Sequence, residues 1–391
     1  MKVAFLVAIV CRIVTLAAGS EKRAPLPADV YYDKLYGAWL GECAGNMFGL
    51  PHEFKYDENP GPDLAFRPDY TDGARSDDDT DIEYVYLHAL EVHGLDLSYG
   101  QVAEEWMDHI HGHIWVANAR ALELMRQGVL PPATGHPGNN EKAWFNLSGQ
   151  FTQELWGMIS PGMPATAQKF AEKFAHVVVY GESVMAAHYF CVMYAEAFFE
   201  SDLRSLIQKG LSALPASSEY RQAIADCVTW HNEYPDDWRA ARNALHRKYR
   251  KKWNPNSSVL NGGACTLGLL YGGGDFEKTI LLICSLGYDA DCNAATVGGL
   301  LGVLNGASGL PRRWIEPLKD TYRNVTRDNL PKQEKISSIA RRIAAIGEKN
   351  ILSAGGKIET VDGRKTYRIP RQKPLVAVLD PPVVKDPAPA P

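Results

Sequence analysis

Two stretches near opposite ends of the chain carry a glycine or alanine every fourth residue, and that spacing restricts the fold more than any other feature of the 391 residues. Gly37, Gly41, Gly45 and Gly49 run through YGAWLGECAGNMFGLPHEF, and Ala294, Gly298, Gly302 and Gly306 run through GYDADCNAATVGGLLGVLNGASG. On an α-helix, residues four apart share one face. A helical glycine costs about 1 kcal/mol relative to alanine, so a stripe of them needs a compensating contact. The contact that a bare face permits is a second backbone, and the two stretches are expected to cross as helices with their main chains nearly touching. In an apolar run of about 20 residues the same stripe would indicate membrane helix pairing. Glu42 and Asn46, with the flanking Asp33, Lys34 and Glu53, exclude a span. The first stretch therefore reads as a buried core helix ended by Gly49 and Pro51.

Carboxylates gather beside both stripes. Asp289 and Asp291 open the second one, Glu53 follows the first, and Asp77, Asp78 and Asp79 begin a helix in SDDDTDIEYVYLHALEVHG. One aspartate at a helix start is explained by capping and by the helix dipole. Three adjacent ones repel, and inside a helix they would fan about 100° apart. They converge only where the backbone is still entering the helix, and a divalent cation resolves their repulsion. Hard oxygen ligands of this sort suit magnesium, calcium or manganese. The six acidic residues point to a two-cation site at the centre of a helical domain.

The remaining chain is helical in pattern. Apolar helices are expected across 165–214, a basic and solvated helix in WRAARNALHRKYRKKW, and a hairpin around Asp362-Gly363 at 351–370. No other stretch alternates with period two over any length. The fold class is all-α, a single large orthogonal helical domain over 32–350 with a small C-terminal β-hairpin, preceded by a lead-in at 20–31. Residues 371–391, ending DPAPAP, read as a proline-rich disordered tail. PPATGHPGNN at 131–140 is dense in turn residues and polar side chains, and Gly135, Asn139 and Asn140 are candidates for substrate binding together with Tyr288. His109, His111 and His113 lack an obvious carboxylate or cysteine partner at ligand spacing and are read as no metal site.

Met1 to Gly19 has the form of a secretory signal, with Lys2, apolar runs broken by Arg12, and small residues before Ser20. A secreted, extracellular protein with a mature start near Gly19–Arg23 is expected, with Asn146, Asn256 and Asn324 in glycosylation triplets. Cys11 lies in that leader, and Cys43, Cys191, Cys265 and Cys284 sit in apolar helical contexts as buried thiols. No pairing can be placed. A formal net charge of -5 gives no reason to expect nucleic acid or an anionic membrane as partner. A small-molecule or glycoside substrate and a monomer are expected.

With those residues in view, the chain resembles the ADP-ribosylglycohydrolase family over roughly Tyr32 to Ile346. The resemblance rests on YGAWLGECAGNMFGLPHEF, on SDDDTD where the family has Thr/Ser-Asp-Asp-Thr, and on GYDADCNAATVGGLLG where it has Gly-x-Asp-x-Asp-Thr/Ser. It implies an all-α fold with two magnesium ions in a central cleft, and hydrolysis of an N- or O-glycosidic bond at the ribose of an ADP-ribosyl group. By position, Asp77, Asp78, Asp79, Asp289 and Asp291 take the metal-ligand places and Glu53 that of the acidic residue linked to catalysis. Asp78 and Asp291 are counted with Glu53 as catalytic. Asp77 and Cys292 depart from the family's hydroxyl residues, and Val179 stands where relatives carry a histidine. Two other classes stay open: a glycosidase or nucleoside hydrolase on a different secreted sugar, and a non-catalytic binding or structural member.

Overall fold

The computed structural model describes residues 23–67, 70 and 72–381, so the expected leader and Cys11 lie outside the described residues. Fifteen α-helices make up most of it. They are α1 Ala28–Gly49, α2 Asp78–His93, α3 Tyr99–His109, α4 Val116–Arg126, α5 Glu154–Met158, α6 Pro164–Ala175, α7 Glu182–Ala197 and α8 Leu203–Ser212. There follow α9 Glu219–Glu233, α10 Trp238–Tyr249, α11 Ser258–Gly272, α12 Phe276–Leu286, α13 Ala290–Asn305, α14 Arg312–Ile315 and α15 Ile336–Ser353. Six short strands complete it: β1 Arg23–Pro27, β2 Ala74–Arg75, β3 Tyr322–Arg323, β4 Gln333–Glu334, β5 Lys357–Val361 and β6 Arg364–Pro370. The fold is all-α with two small sheets. No described helix is long and apolar enough to cross a membrane.

The antiparallel pair α1 and α13 is the axis of the domain, and the glycine faces meet as their spacing requires. A Cβ built on Gly41 would stand 2.1 Å from Gly298 O, one on Gly45 2.1 Å from Ala294 O, and one on Gly37 2.5 Å from Gly302 O. At the far end a Cβ on Gly49 would stand 2.4 Å from Asp291 Cα. Gly306 departs from the stripe: α13 ends at Asn305, and Gly306 turns the chain with φ +70°. The last carbonyls of α13 are satisfied from α1, whose Lys34 Nζ donates to Val303 O at 2.6 Å and to Leu304 O at 3.2 Å. Both helices are enclosed by α7, α11, α12 and α15, and every residue of α1 from Gly37 to Gly49 is buried.

The C-terminal hairpin forms around Asp362 and Gly363, whose φ values of +50° and +76° suit a two-residue turn. It gains a third strand that periodicity cannot announce in five residues. Within the expected lead-in, β1 pairs antiparallel with β6, Arg23 opposite Pro370 and Pro27 opposite Thr366. Pro25 and Pro27 are tolerated because β1 is an edge strand.

The expectation of a disordered tail from Arg371 fails for 371–381, where specific long-range bonds replace a hydrophobic pattern. Arg371 pairs with Glu196 at 2.7 Å, Gln372 N donates to Gly162 O at 3.1 Å, and Leu375 N donates to Gln168 Oε1 at 2.8 Å. Asp380 Oδ2 accepts from Gly181 N at 2.8 Å and lies 3.0 Å from His176 Nε2. Residues 382–391 lie outside the described residues.

Candidate metal centre

Three local devices bring the carboxylates together. First, the Gly49–Asp291 approach ends α1 against the start of α13, and a 3₁₀ turn at Leu50–His52 then delivers Glu53. Phe54 N donates to Tyr288 O at 2.9 Å and fastens that turn. Second, α13 begins after a left-handed bend at Gly287 and Tyr288, with φ of +86° and +64°. A Cβ on Gly287 would stand 2.0 Å from Tyr56 O, so glycine is required there. Third, the parallel pairing of β2 with β3 leads the chain into α2, with Ser76 N on Arg323 O at 2.8 Å. Asp77 is still extended at φ -142°, and Asp78 and Asp79 are the first helical residues. This is the partly entered helix that lets adjacent carboxylates converge.

The result is a cleft of about 380 Å³. Glu53, Asp77, Asp78, Asp289, Asp291 and Cys292 line its acidic side. Leu50, Phe54, Trp115, Val116 and Phe151 supply an apolar side, and Asn118, Asn146, Ser148 and Asn256 a polar one. Asp79 lies beneath, 1% exposed, where Asn46 Nδ2 donates to its Oδ2 at 2.6 Å. Oxygen or sulfur atoms of Asp77, Asp79 and Asp291 lie within 4.8 Å of one another, as do those of Asp78, Asp79 and Cys292, and those of Asp289, Asp291 and Cys292.

Burial raises every carboxyl in this group, and the neighbouring negative charges add to it. Asp78, Asp79 and Asp291 are pushed well above the usual carboxylate range, first by desolvation and then by their acidic neighbours. Asp289 is raised to about 6 by burial, moderated by the Cys292 thiol and by Asp291. Asp77 is raised by burial against the opposing effect of Asp78 N–H and the Asn46 amide. Glu53 stands exposed at the rim, yet desolvation, Asp289 and Asp77 push it up to about 7. Buried Oδ1 atoms of Asp79, Asp289 and Asp291 have no hydrogen-bond partner. Buried anionic oxygens without donors are costly. Such orphan oxygens, set among the clusters of Asp77, Asp79 and Asp291 and of Asp289, Asp291 and Cys292, fit hard divalent cations. Cys292 is held as a neutral thiol by burial and by the surrounding aspartates, and the thiol moderates the rise at both Asp79 and Asp289.

The four candidates for substrate binding do not reach this cleft. A Cβ on Gly135 would stand 2.6 Å from His176 O, which makes it a packing glycine. Asn140 is 1% exposed and braces two segments through Ala117 O at 3.1 Å and Val178 O at 3.2 Å. Asn139 Nδ2 donates back to Ala133 O at 2.8 Å. The Tyr288 ring is buried between the Arg242 guanidinium, 4.7 Å away, and the His246 imidazole. The residues that sequence reading missed are Trp115, Phe151, Asn146, Ser148 and Asn256. Trp115 is 49% exposed beside the acids, and the HisIleTrp break between α3 and α4 was its only signal.

Also missed is a wholly buried triad, Glu42, Glu83 and Glu154: burial raises all three, Glu154 to about 7, and neighbouring carboxylates add to the rise at Glu42 and Glu83. Of the three glycosylation triplets, Asn324 has its Nδ2 bonded to Arg327 O and Pro331 O and is 1% exposed, and Asn146 is 4% exposed. Neither leaves room for a glycan on the folded chain. Asn256 lines the cleft itself. All six cysteines of the described residues are free and buried.

The structure thus defines a helical domain with a multi-carboxylate cleft at its axis. The ADP-ribosylglycohydrolase family model matches residues 27–350, and the chain belongs to that family. It is similar to an ADP-ribosylarginine hydrolase Tri1 of Serratia proteamaculans (strain 568), 32% identical over 103 residues, which are 26% of this chain and 25% of the relative. A second ADP-ribosylarginine hydrolase Tri1, of Pseudomonas putida (strain GB-1), is 36% identical over 70 residues, 18% of this chain and 19% of the relative. The matched stretches thus span a quarter or less of these curated relatives. A solved structure described as an ADP-ribosylglycohydrolase-related protein complex shares the fold at TM-score 0.54 and 17% identity, covering 82% of this chain and 99% of its own.

Proposed function

We propose that the chain is a hydrolase that cleaves the N- or O-glycosidic bond at the ribose of an ADP-ribosyl conjugate, with ADP-ribosylated arginine as the first substrate to test. The carrying observation is the convergence of carboxylates from α2 and α13, several of their buried oxygens without a partner, with Glu53 lining the same cleft. Asp77, Asp78, Asp79, Asp289 and Asp291 would hold two magnesium ions, or manganese or calcium in their place. Bound there, the ions would supply Lewis-acid polarisation and a water of lowered pKa.

The chain's own groups account for the remaining steps. In the reaction the bond from the anomeric carbon to the leaving nitrogen or oxygen breaks, water supplies the new oxygen, and a water proton ends on the leaving atom. Glu53, at the rim of the cleft where desolvation raises its carboxyl, is the group placed to take and return a proton. The concentrated carboxylate field stabilises positive charge developing on the ribose. Exposed Trp115, with Phe54 and Phe151, offers a face for a planar base. The leader-like residues 1–19 support a secreted location, and a monomer is the simplest assembly consistent with a complete cleft in one chain.

The test is release of ADP-ribose from ADP-ribosylated arginine, with cation binding followed by thermal shift. Asp78→Ala and Asp291→Ala are expected to lose both. Glu53→Gln is expected to keep cation stabilisation and lose about 10²- to 10⁴-fold in kcat. Wild-type turnover in either aspartate variant would overturn the assignment.

A further inference from the structure

A second constellation of ligating side chains lies where α2 meets α3. His88 follows Asp78 by ten residues on α2, about 15 Å along the helix axis, so the two groups are separate. Glu105 and His109 are one turn apart on α3 and share a face.

The hydrogen bonds around them fix which atoms carry protons. Gln101 Oε1 accepts from Ser98 N at 2.8 Å, so its Nε2 is the atom that donates to His93 Nδ1 at 3.1 Å. His93 therefore carries its proton on Nε2 and donates it to Glu105 Oε1 at 2.8 Å. One carboxylate oxygen is thereby occupied and the other, Oε2, is aimed elsewhere. His109 Nδ1 lies 2.9 Å from the Asp328 carbonyl oxygen, which only accepts, so that nitrogen holds the proton. His109 Nε2 points at Glu105 Oε2 from 3.1 Å, and in the neutral ring with its proton on Nδ1 it presents a lone pair there. His88 Nε2 stands 3.8 Å from the same oxygen, its ring edge-on to His109 with centroids 5.0 Å apart.

A proton on His109 or a metal ion held between the three side chains would each resolve this contact, and the presence of His88 beside the same oxygen favours the metal. Ligand atoms of His88, Glu105 and His109 all lie within 4.8 Å of one another. Zinc–nitrogen and zinc–oxygen bonds of about 2.0–2.2 Å put tetrahedral ligands about 3.3–3.5 Å apart, within a small side-chain adjustment of this arrangement. Two imidazoles and one carboxylate select zinc over magnesium or calcium. The outer groups are those a zinc site uses, a backbone carbonyl on one histidine and a histidine on the carboxylate. Burial keeps His88 below its ordinary value and so neutral and able to ligate. Its side chain is 32% exposed, so solvent reaches the cluster.

We infer that His88, Glu105 and His109 bind one Zn²⁺, oriented by His93 and Asp328, at a site independent of the acidic cleft. The ion would clasp α2 to α3 and to the segment carrying Asp328.

The chelator-stripped chain, with magnesium in excess to occupy the acidic cleft, is titrated with Zn²⁺ against a chromophoric competitor. One equivalent is expected in the wild type and equally in an Asp78→Asn/Asp291→Asn variant. His93→Gln should weaken binding by roughly 10- to 100-fold, as loss of an orienting partner does. His88→Gln should weaken it further while leaving magnesium stabilisation unchanged, which shows that the fold persists. Co²⁺ in the same site should give the intense visible bands of tetrahedral coordination, absent in His88→Gln. Wild-type chain that fails to compete for zinc would mean that a proton on His109 fills the gap, and the inference falls. Zinc uptake lost in the aspartate variant but kept in His88→Gln would overturn it as well.

Discussion

Replacing Gly41 by alanine is the sharpest test of the helix pair on which the cleft is built. The new methyl carbon would stand 2.1 Å from Gly298 O and 2.8 Å from Gly298 C, about 1.3 Å inside the 3.4 Å of ordinary contact. Both opposing atoms are main chain, so no side-chain rotation relieves the clash and α1 must move off α13. Overpacking of this kind costs about 1–3 kcal/mol, and a rigid backbone neighbour places Gly41→Ala at the upper end. Alanine recovers about 1 kcal/mol of helix propensity, which leaves a net loss of about 2 kcal/mol. The displacement also passes along the stripe to Gly49, whose contact with Asp291 sets Glu53 against the acids, so cation stabilisation should fall too. Gly100→Ala is the control, because the nearest atom to its Cβ is Ser98 Oγ at 3.8 Å and only the propensity gain remains. Denaturant unfolding with and without magnesium reads both quantities. If Gly41→Ala were as stable as the wild type, close backbone approach would not be the reason for the stripe.

Two further predictions concern the same molecule. Without cations, Asp289 and Glu53 hold protons more tightly in the folded chain than their ordinary values near 4 allow, at about 6 and about 7. Their contribution is therefore fully present below about pH 4 and is lost as pH rises through 6–7, so metal-free stability should fall over that window. Magnesium should remove the decline, and thermal melts in chelator showing no such slope would contradict the electrostatic reading. A secretory leader predicts that the purified native protein begins near Gly19–Arg23, and N-terminal sequencing that finds Met1 intact would refute it.

The parts of the fold that were legible from sequence are those written in short-range periodicity. Gly37, Gly41, Gly45 and Gly49 announce a partner backbone by themselves, and Ala294, Gly298 and Gly302 supply it. The convergence of Asp77 to Asp79 with the second acidic pair was legible because no purely local structure makes use of three adjacent charges. Polar, turn-rich composition misled at PPATGHPGNN, since Asn140 and Gly135 brace the interior with the same chemistry that ligand loops use. Arg371 to Asp380 looked unstructured because their partners, from Gly162 to Ala213, are distant in sequence. The Glu105–His109 spacing was present to be read, but the contribution of His88 from another helix was not.

The pairing of α1 with α13 also bears on how the chain is made. About 240 residues separate Gly49 from Asp291, so a ribosome adding 5–20 residues per second exposes the first glycine face for roughly 10–50 s before its partner exists. For that interval α1 is an apolar helix with a bare backbone stripe and nothing to cover it. Long-range closure of this sort is slow and leaves aggregation-prone surface in the nascent chain. The glycines that permit so close a helix crossing thus commit the protein to late, all-at-once assembly. The burden on chaperones should fall on α1 before α13 has emerged.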